Sequence, residues 1–164
     1  MCIRDSTYTD RTAEAGITGI TGALNMNHVD YDNDGDIDVF MLRGAWHMPG
    51  DQPNSLLRNN GNGTFSDVTR EAGILSYHPT QSGNWSDYDR DGDLDIFIGN
   101  ESDKSNPHKS ELYRNNGDGT FTNVAAEAGV DVSYFVKGAA WGDVDHNGYP
   151  DLYVSCLEIG RAHV

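Results

Sequence analysis

Short apolar runs separated by polar loops rich in Asp and Gly are the main pattern along the chain. The clearest run is Ile96-Phe97-Ile98, three consecutive apolar residues that directly follow an acidic loop. A strand that is apolar on both of its alternating faces is expected where its sheet is covered on both sides. The run therefore predicts a short, buried β-strand.

The same arrangement occurs three times. The runs Val39–Leu42, Ile96–Ile98 and Leu152–Val154 each follow a nine-residue acidic loop, and the loops begin 57 and 56 residues apart. A second motif keeps this period, because LLRNNGNGTFSDVTREAGI begins at Leu56 and LYRNNGDGTFTNVAAEAGV begins at Leu112. Repeats of this length are typical of solenoids, propellers and arrays.

Each full repeat is predicted to supply four short antiparallel strands. In the first one, a strand over Gly22–Val29 precedes the loop and second strand of Asp30–Arg43. Leu56–Asn60 and Thr64–Val68 then form a hairpin, because Asn60-Gly61-Asn62-Gly63 is a strong turn signal. Four strands in about 56 residues match a propeller blade. The predicted fold is all-β, a partial β-propeller of stacked four-stranded antiparallel blades.

The period also sets the predicted boundaries within a repeat region of residues 7–157. Residues 7–21 are the tail of a preceding blade, 22–74 and 82–130 are whole blades, and 138–157 begin another blade. The tail is predicted to be a strand ending in a short capped turn over Tyr8–Ile17. Residues 1–6 and 158–164 fit no repeat and look like translated adaptor sequence, so they are predicted to be non-native. Two whole blades cannot close a ring, so the chain is expected to be a fragment that contacts further blades.

Certain apolar residues are predicted to be buried between sheets because they recur at equivalent places in the period. They are Trp85, Ile96, Ile98, Leu112, Phe121, Trp141, Leu152 and Val154, with Val39, Met41, Leu56 and Phe65 in the first blade.

Each acidic loop carries oxygen ligands at alternate positions. In the second loop, Asp87, Asp89 and Asp91 occupy positions 1, 3 and 5, Gly92 occupies position 6 and Asp95 occupies position 9. Alternate carboxylates can converge on one cation while the glycine lets the backbone turn sharply. An EF-hand needs a bidentate Glu at position 12, which here lies within the apolar run. The pattern therefore predicts a calcium loop that leads into a strand.

The charge of the chain is concentrated in these loops. The net charge is −15, with 26 acidic and 11 basic residues, and half of the acidic residues lie in the three loops. Phosphate binding requires a basic face, so nucleic acid is not predicted as a partner. No apolar run is long enough to span a bilayer, so membrane insertion is not predicted either. Outside the predicted non-native ends Cys156 stands alone, which leaves disulfides undetermined.

Simpler interpretations exist for several of these residues. Asp- and Gly-rich segments also form plain turns, but carboxylates ~5 Å apart repel by about 3 kcal/mol per pair at an effective dielectric constant near 20. Three repeated loops therefore favour cation binding. Trp85 and Trp141 suit either a sugar-stacking platform or the core, and their fixed repeat positions favour the core. His47 and His108 are candidates for a metal or ligand site, or are ordinary surface residues.

The pairing of W-x-D-Y-D-x-D-G-D-x-D with L-Y-R-N-N-G-D-G-T-F resembles the FG-GAP/VCBS-like repeat proteins, most closely the cartilage acidic protein (ASPIC/UnbV) type. The similarity covers Tyr8–Leu157. It implies a β-propeller related to the integrin α-subunit head, with calcium between a blade's first and second strands, in secreted, cell-surface or periplasmic proteins. The chain departs from the pattern in lacking literal Phe-Gly and Gly-Ala-Pro motifs, in having His28 instead of Trp, and in having Pro150 in the third loop.

Carried over by position, the resemblance implies five calcium ligands in each loop. They are Asp30, Asp32, Asp34, Asp36 and Asp38; Asp87, Asp89, Asp91, Asp93 and Asp95; and Asp143, Asp145, Asn147, Tyr149 and Asp151. Those at position 7, namely Asp36, Asp93 and Tyr149, would bind through main-chain carbonyls.

No catalytic motif is found: the sequence has no nucleophile elbow, phosphate loop or Cys/His zinc spacing. The predicted function is that of a non-enzymatic, calcium-binding propeller module of a secreted or cell-surface protein. It would bind a protein or glycan in adhesion through the connections Gly44–Asn54 and Glu101–Lys109. The alternative is the propeller portion of an extracellular polysaccharide-degrading enzyme.

Overall fold

The structure is a computed structural model that describes residues 9–43, 52–102, 104–105 and 107–157. The described residues form ten strands and no helix, which confirms the all-β prediction. The strands are β1 Asn25–Val29, β2 Asp38–Leu42, β3 Ser55–Asn59, β4 Phe65–Asp67, β5 Thr80–Ser86, β6 Asp95–Asn100, β7 Glu111–Asn115, β8 Phe121–Asn123, β9 Val136–Gly142 and β10 Asp151–Cys156. The predicted non-native ends, most of the first connection with His47, and residues 103 and 106 of the second connection lie outside the described residues.

The strands form three antiparallel sheets in chain order. Blade 1 is β1-β2-β3-β4, blade 2 is β5-β6-β7-β8, and blade 3 is the pair β9-β10. The repeat is kept residue by residue, because Trp85 pairs with Ile96 in blade 2 and Trp141 pairs with Leu152 in blade 3. The predicted partial propeller is thus consistent with the observed architecture.

The predicted hairpin is confirmed in both whole blades. In blade 1, Asn59 pairs with Phe65 across a turn in which the Asn60 N–H donates to the Thr64 carbonyl at 3.0 Å. The equivalent turn of blade 2 is closed by Asn116 and Thr120, also at 3.0 Å.

The strand predicted in the tail is wrong for the residues that the structure describes. Residues 9–11 form no strand, whereas the predicted short turn is present over residues 12–16, where the Ala15 N–H donates to the Arg11 carbonyl at 2.8 Å. A strand requires a ladder partner, and no described strand lies beside residues 9–11 to supply one. The segment instead packs on blade 1, where the Phe65 N–H donates to the Ala15 carbonyl at 2.9 Å.

The core lies between the sheets, and β6 contributes to it on both faces. Ile96 and Ile98 pack against Phe40 and Leu42 of blade 1, in a cluster that also holds Phe121. The opposite face of β6 carries Phe97, which packs in a second cluster with Leu112 and with the partly buried Trp141, Leu152 and Val154. Because successive side chains of a strand point to opposite faces, the apolar run of β6 fills two interfaces.

The burial prediction is confirmed for five of the residues and met only in part by five others. Leu56, Ile96, Ile98, Leu112 and Phe121 are buried, and Phe65, Trp85, Trp141, Leu152 and Val154 are half-buried. In blade 1 the prediction named only one face of β2 and missed the other. Phe40 and Leu42 are fully buried against blade 2, whereas Val39 and Met41 are half-buried because no other described sheet covers their side.

Side-chain sizes are matched across the two blade interfaces. At the first, Leu42 lies against Gly83, where an added β-carbon would stand 3.0 Å from Leu42 Cδ2. At the second, Gly99 lies against Val136, where an added β-carbon would stand well inside van der Waals contact with Val136 Cγ1. Each glycine thus leaves room for a large residue of the adjacent blade.

No helix in the described part of the chain is long and apolar enough to cross a membrane.

Candidate metal centres

The three acidic loops occupy the same place in each blade. Residues 30–37, 87–94 and 143–150 connect the first strand to the second, and position 9 of each pattern is the first residue of that second strand. These residues are Asp38, Asp95 and Asp151. The antiparallel pairing of the two strands therefore brings the start of each loop back beside its end.

In each loop, the carboxylates at positions 1, 3 and 9 come together. Each side chain offers one oxygen, and the three oxygens of a loop lie within 4.8 Å of one another. The groups are Asp30, Asp32 and Asp38; Asp87, Asp89 and Asp95; and Asp143, Asp145 and Asp151. Three converging carboxylate oxygens could hold a divalent cation, and calcium prefers such oxygen ligands.

The backbone of each loop folds around the carboxylate at position 1. The glycine at position 6 has a φ of 90° or 98°, a left-handed conformation that favours glycine. Its N–H donates to the position 1 carboxylate, at 3.1 Å from Gly35 to Asp30, 3.2 Å from Gly92 to Asp87 and 2.9 Å in the third loop. In the first two loops the turn thus fixes one oxygen of the first carboxylate and leaves the other for a ligand, whereas in the third loop the other oxygen of Asp143 accepts a hydrogen bond from the Asn147 N–H at 3.0 Å.

The carboxylate at position 9 is held by the sheet. Asp38 and Asp95 are fully buried, and each accepts a hydrogen bond of 2.8 Å from the backbone of the adjacent third strand. The donors are the N–H groups of Asn59 and Asn115. Burial nevertheless raises the pKa of Asp38 and that of Asp95 to about 6, because desolvation outweighs the backbone hydrogen bonds. A cation in the loop would favour the charged form of both groups.

The carboxylate at position 3 lies in a similarly unfavourable environment. Desolvation, followed by the charge of the neighbouring Asp34, raises the pKa of Asp32. Desolvation and Asp91 do the same to the pKa of Asp89. Arg58 and Arg114 oppose these increases only in part, so the loops gather more negative charge than the described side chains neutralise.

Three buried oxygens of these loops have no hydrogen-bond partner. They are the Oδ1 atoms of Asp30, Asp32 and Asp87. Buried polar atoms are nearly always paired, and each such exception calls for an explanation. Hard, anionic oxygens at the convergence point of a loop fit a calcium ion.

The residues at positions 5 and 7 are not in these groups. The side chains of Asp34, Asp91 and Asn147 each accept a hydrogen bond from the N–H two residues later, at 2.8, 3.0 and 2.8 Å. Among the position 7 residues, Asp93 directs a carboxylate oxygen towards the preceding blade. Their assignment as ligands, like that of the other loop residues, stays a prediction.

The third loop is the most open of the three. Asp143 and Asp145 are exposed and Asp151 is half-buried. Blade 3 has only two described strands, so Asp151 has no third-strand backbone donor like Asn59 or Asn115 among the described residues.

Asn115 has a role that the sequence interpretation missed. Its buried side-chain amide donates to the carbonyl of Tyr31 in the first loop at 2.8 Å and to the carbonyl of Leu94 in its own loop at 3.2 Å. The sequence carries a signal for this role, because Arg-Asn-Asn-Gly recurs in register with the acidic loops, but the same residues also predict a turn. The first asparagine of this sequence links the hairpin to the acidic loop by hydrogen bonds.

The other candidate residues have contacts typical of packing. Trp85 meets Phe40 edge to face with ring centroids 5.9 Å apart, and the Trp141 indole N–H donates to the Asn84 carbonyl at 3.1 Å. These contacts agree with the core interpretation of the tryptophans. His108 shares a 2.8 Å hydrogen bond with His78 through their Nδ1 atoms, which joins two connecting segments.

Comparison with models of known protein families identifies the family of these repeats. The family model described as an FG-GAP-like repeat matches the chain twice, over residues 30–98 and 87–154. Each match begins at position 1 of an acidic loop. No match to a curated protein was found. Because the two matches cover most of the sequence in register with the observed blades, the chain belongs to the FG-GAP-like repeat family.

Proposed function

We propose that this chain is a calcium-stabilised β-propeller module of a secreted or cell-surface protein of the cartilage acidic protein (ASPIC/UnbV) type, related to the integrin α-subunit head. The observation that carries the proposal is the convergence of three carboxylates in each loop, with buried oxygens that have no partner in the first two.

The loops link this chemistry to the fold. Position 9 of the first two loops is both a fully buried carboxylate and the first residue of a central strand, β2 or β6. Without a cation, the like charges at positions 1, 3 and 9 repel each other at the point where the strand enters the core. Calcium supplies the positive charge that removes this repulsion. The carboxylates then fix the start of the strand, so the loop acts as a structural staple.

The expected size of the effect follows from mass action. Extracellular modules bind calcium with dissociation constants of ~0.1 to 1 mM. At ~2 mM free calcium, a site with a constant near 0.1 mM adds about 1.8 kcal/mol to the free energy of unfolding. Two such sites contribute roughly 3 to 4 kcal/mol, a large part of the margin of a typical domain.

We assign the binding role to the connections at 44–54 and 101–109, because these segments differ between the blades in both length and composition. The ligand would be a protein or a glycan. The carboxylate clusters recur once per blade, which supports a structural rather than a catalytic use. A polysaccharide-degrading enzyme that contains this propeller is the alternative.

Thermal unfolding with calcium and with chelator tests the proposal. The informative variant is Asp87→Asn with Asp89→Asn, which should lose most of the contribution of the second loop. The matched control is Glu71→Gln with Glu127→Gln, because these exposed residues occupy equivalent places in the two blades outside the loops and the same two charges are removed. A melting temperature that chelation leaves unchanged would refute the staple. If variant and control lose the same part of the calcium-dependent rise in melting temperature, that rise would come from net charge alone.

A further inference from the structure

Neighbouring acidic loops contact each other through the same two positions at both blade interfaces. At the first interface, the Asn33 side-chain amide donates to Asp93 Oδ1 at 2.8 Å. At the second, the Arg90 guanidinium lies 5.2 Å from the centroid of the Tyr149 ring, a cation–π contact. Asn33 and Arg90 occupy position 4 of their loops, and Asp93 and Tyr149 occupy position 7 of the following loops. The chemistry differs between the interfaces, but the pair of positions is the same.

The residue at position 4 is fixed by the loop backbone. Asn33, Arg90 and His146 all have φ values in the left-handed region, at 58°, 66° and 61°. This conformation is uncommon for residues other than glycine, and here it lies between the ligand positions 3 and 5. The turn that places the carboxylates of one loop therefore also directs the position 4 side chain towards the next loop.

The residue at position 7 is confined on its other side. A β-carbon added at Gly117 would stand 2.8 Å from Asp93 Oδ2, so the Asp93 carboxylate lies close against the hairpin turn of its own blade. Asp93 is thus held between Asn33 of the preceding blade and its own hairpin. Its main-chain carbonyl is the group that the proposed calcium site would use.

We propose that the contact between positions 4 and 7 couples calcium binding at neighbouring loops, an inference that rests on the proposed function. Binding at the first loop orders Asn33, and Asn33 positions the Asp93 segment for binding at the second loop. Coupling of this kind is reciprocal. Because the Asn33–Asp93 hydrogen bond is solvent-exposed, we expect a change in affinity of only about two- to five-fold, as for other exposed pairs. His146 would make the equivalent contact with the loop of a following blade.

The structure offers a separate reporter for each loop. The N–H groups of Gly35, Gly92 and Gly148 each donate to the position 1 carboxylate of their own loop. Their amide signals in NMR spectra of the 15N-labelled 164-residue chain should therefore shift as calcium fills that loop. A calcium titration of the whole chain then gives one midpoint per site.

Removal of the first site tests the coupling. With Asp30→Asn and Asp32→Asn, the calcium midpoint reported by Gly92 should rise two- to five-fold. In an Asn33→Gly background, which keeps the left-handed backbone accessible, the same removal should leave that midpoint unchanged.

A second variant and a matched control distinguish loss of the coupling from loss of folding. Asp93→Ala removes the side chain but keeps the main-chain carbonyl, and it should abolish the coupling as Asn33→Gly does. Asp36→Ala makes the same change in the first loop, which no described loop precedes, and it should preserve the coupling. An unchanged Gly92 midpoint after removal of the first site would overturn the coupling while leaving calcium binding intact. Glycine signals that do not respond to calcium at all would instead overturn the proposed function.

Discussion

The fit between Gly99 and Val136 makes the interface of blades 2 and 3 sensitive to a single methyl group. In a Gly99→Ala variant, the new β-carbon would overlap Val136 Cγ1 and stand 3.1 Å from Val136 Cβ. Val136 is fully buried and β-branched, so it has few alternative rotamers and no free space to occupy. Overpacking of a core costs about 1 to 3 kcal/mol.

The variant should therefore be clearly less stable than the parent chain in urea and thermal unfolding followed by circular dichroism. A loss of ~2 kcal/mol corresponds to a melting temperature roughly 4 to 8 °C lower for a domain of this size. The loss should arise in the folded state, because replacement of glycine by alanine alone favours folding by about 0.4 to 1 kcal/mol through the unfolded chain.

Two other glycines provide a graded control. Gly142 lies on β9 with no atom within 4 Å of an added β-carbon, so Gly142→Ala should be neutral or slightly stabilising. The new β-carbon of Gly83→Ala meets the ends of two side chains, Leu42 at 3.0 Å and Asn27 at 3.3 Å, so the stability of this variant should lie between those of Gly99→Ala and Gly142→Ala. Val136→Ala added to Gly99→Ala should cost less than the sum of the single changes, since contacting residues couple. Equal stability of Gly99→Ala and Gly142→Ala would refute this account of the interface.

Two further predictions concern the buried strands and the hairpin. Ile98→Ala should lower the free energy of unfolding in urea by about 2 to 5 kcal/mol, because Ile98 is fully buried between blades. Met41→Ala changes the equivalent but half-buried position of blade 1 and should lower it less. Equal losses of stability would contradict two-sided burial of β6. Asn115→Ala removes two side-chain hydrogen bonds to carbonyls and should lower the free energy of unfolding by about 2 kcal/mol. It should also weaken calcium binding at the second loop, measured by calorimetric titration. Asn116→Ala, in the exposed part of the same turn, is its control, and a calcium affinity lowered equally by both changes would argue against the tether.

The parts of the fold that depend on local pattern could be predicted from the sequence. The acidic loops, the apolar runs after them and the Asn-Gly turns each determine a local conformation, and their common period determines the order of strands in a sheet. The convergence of positions 1, 3 and 9 follows from the same information, because a hairpin brings Asp87 at the end of one strand beside Asp95 at the start of the next.

The parts that depend on contacts between blades could not be predicted in this way. The choice between Phe40 with Leu42 and Val39 with Met41 as the buried pair depends on which face of β2 meets blade 2, and both pairs are apolar. Asn33 reaches Asp93 across 60 residues of sequence. Such contacts arise only after the sheets have stacked, and the periodicity of one repeat carries no information about them.

The matched sizes at the two interfaces also make the repeats non-interchangeable. Leu42, Gly99 and Ser155 occupy equivalent places in the three blades, yet the first fills the space above Gly83 and the second leaves space for Val136. A leucine in place of Gly99 would collide with Val136, and a glycine in place of Leu42 would leave a void beside Gly83. Exact duplication or shuffling of a blade would therefore give a poorly packed neighbour. Once the contact residues of such repeats differ in size, an added blade needs new side chains at both of its interfaces. Substitutions within a fixed set of blades are therefore easier to accommodate than the gain or loss of a blade.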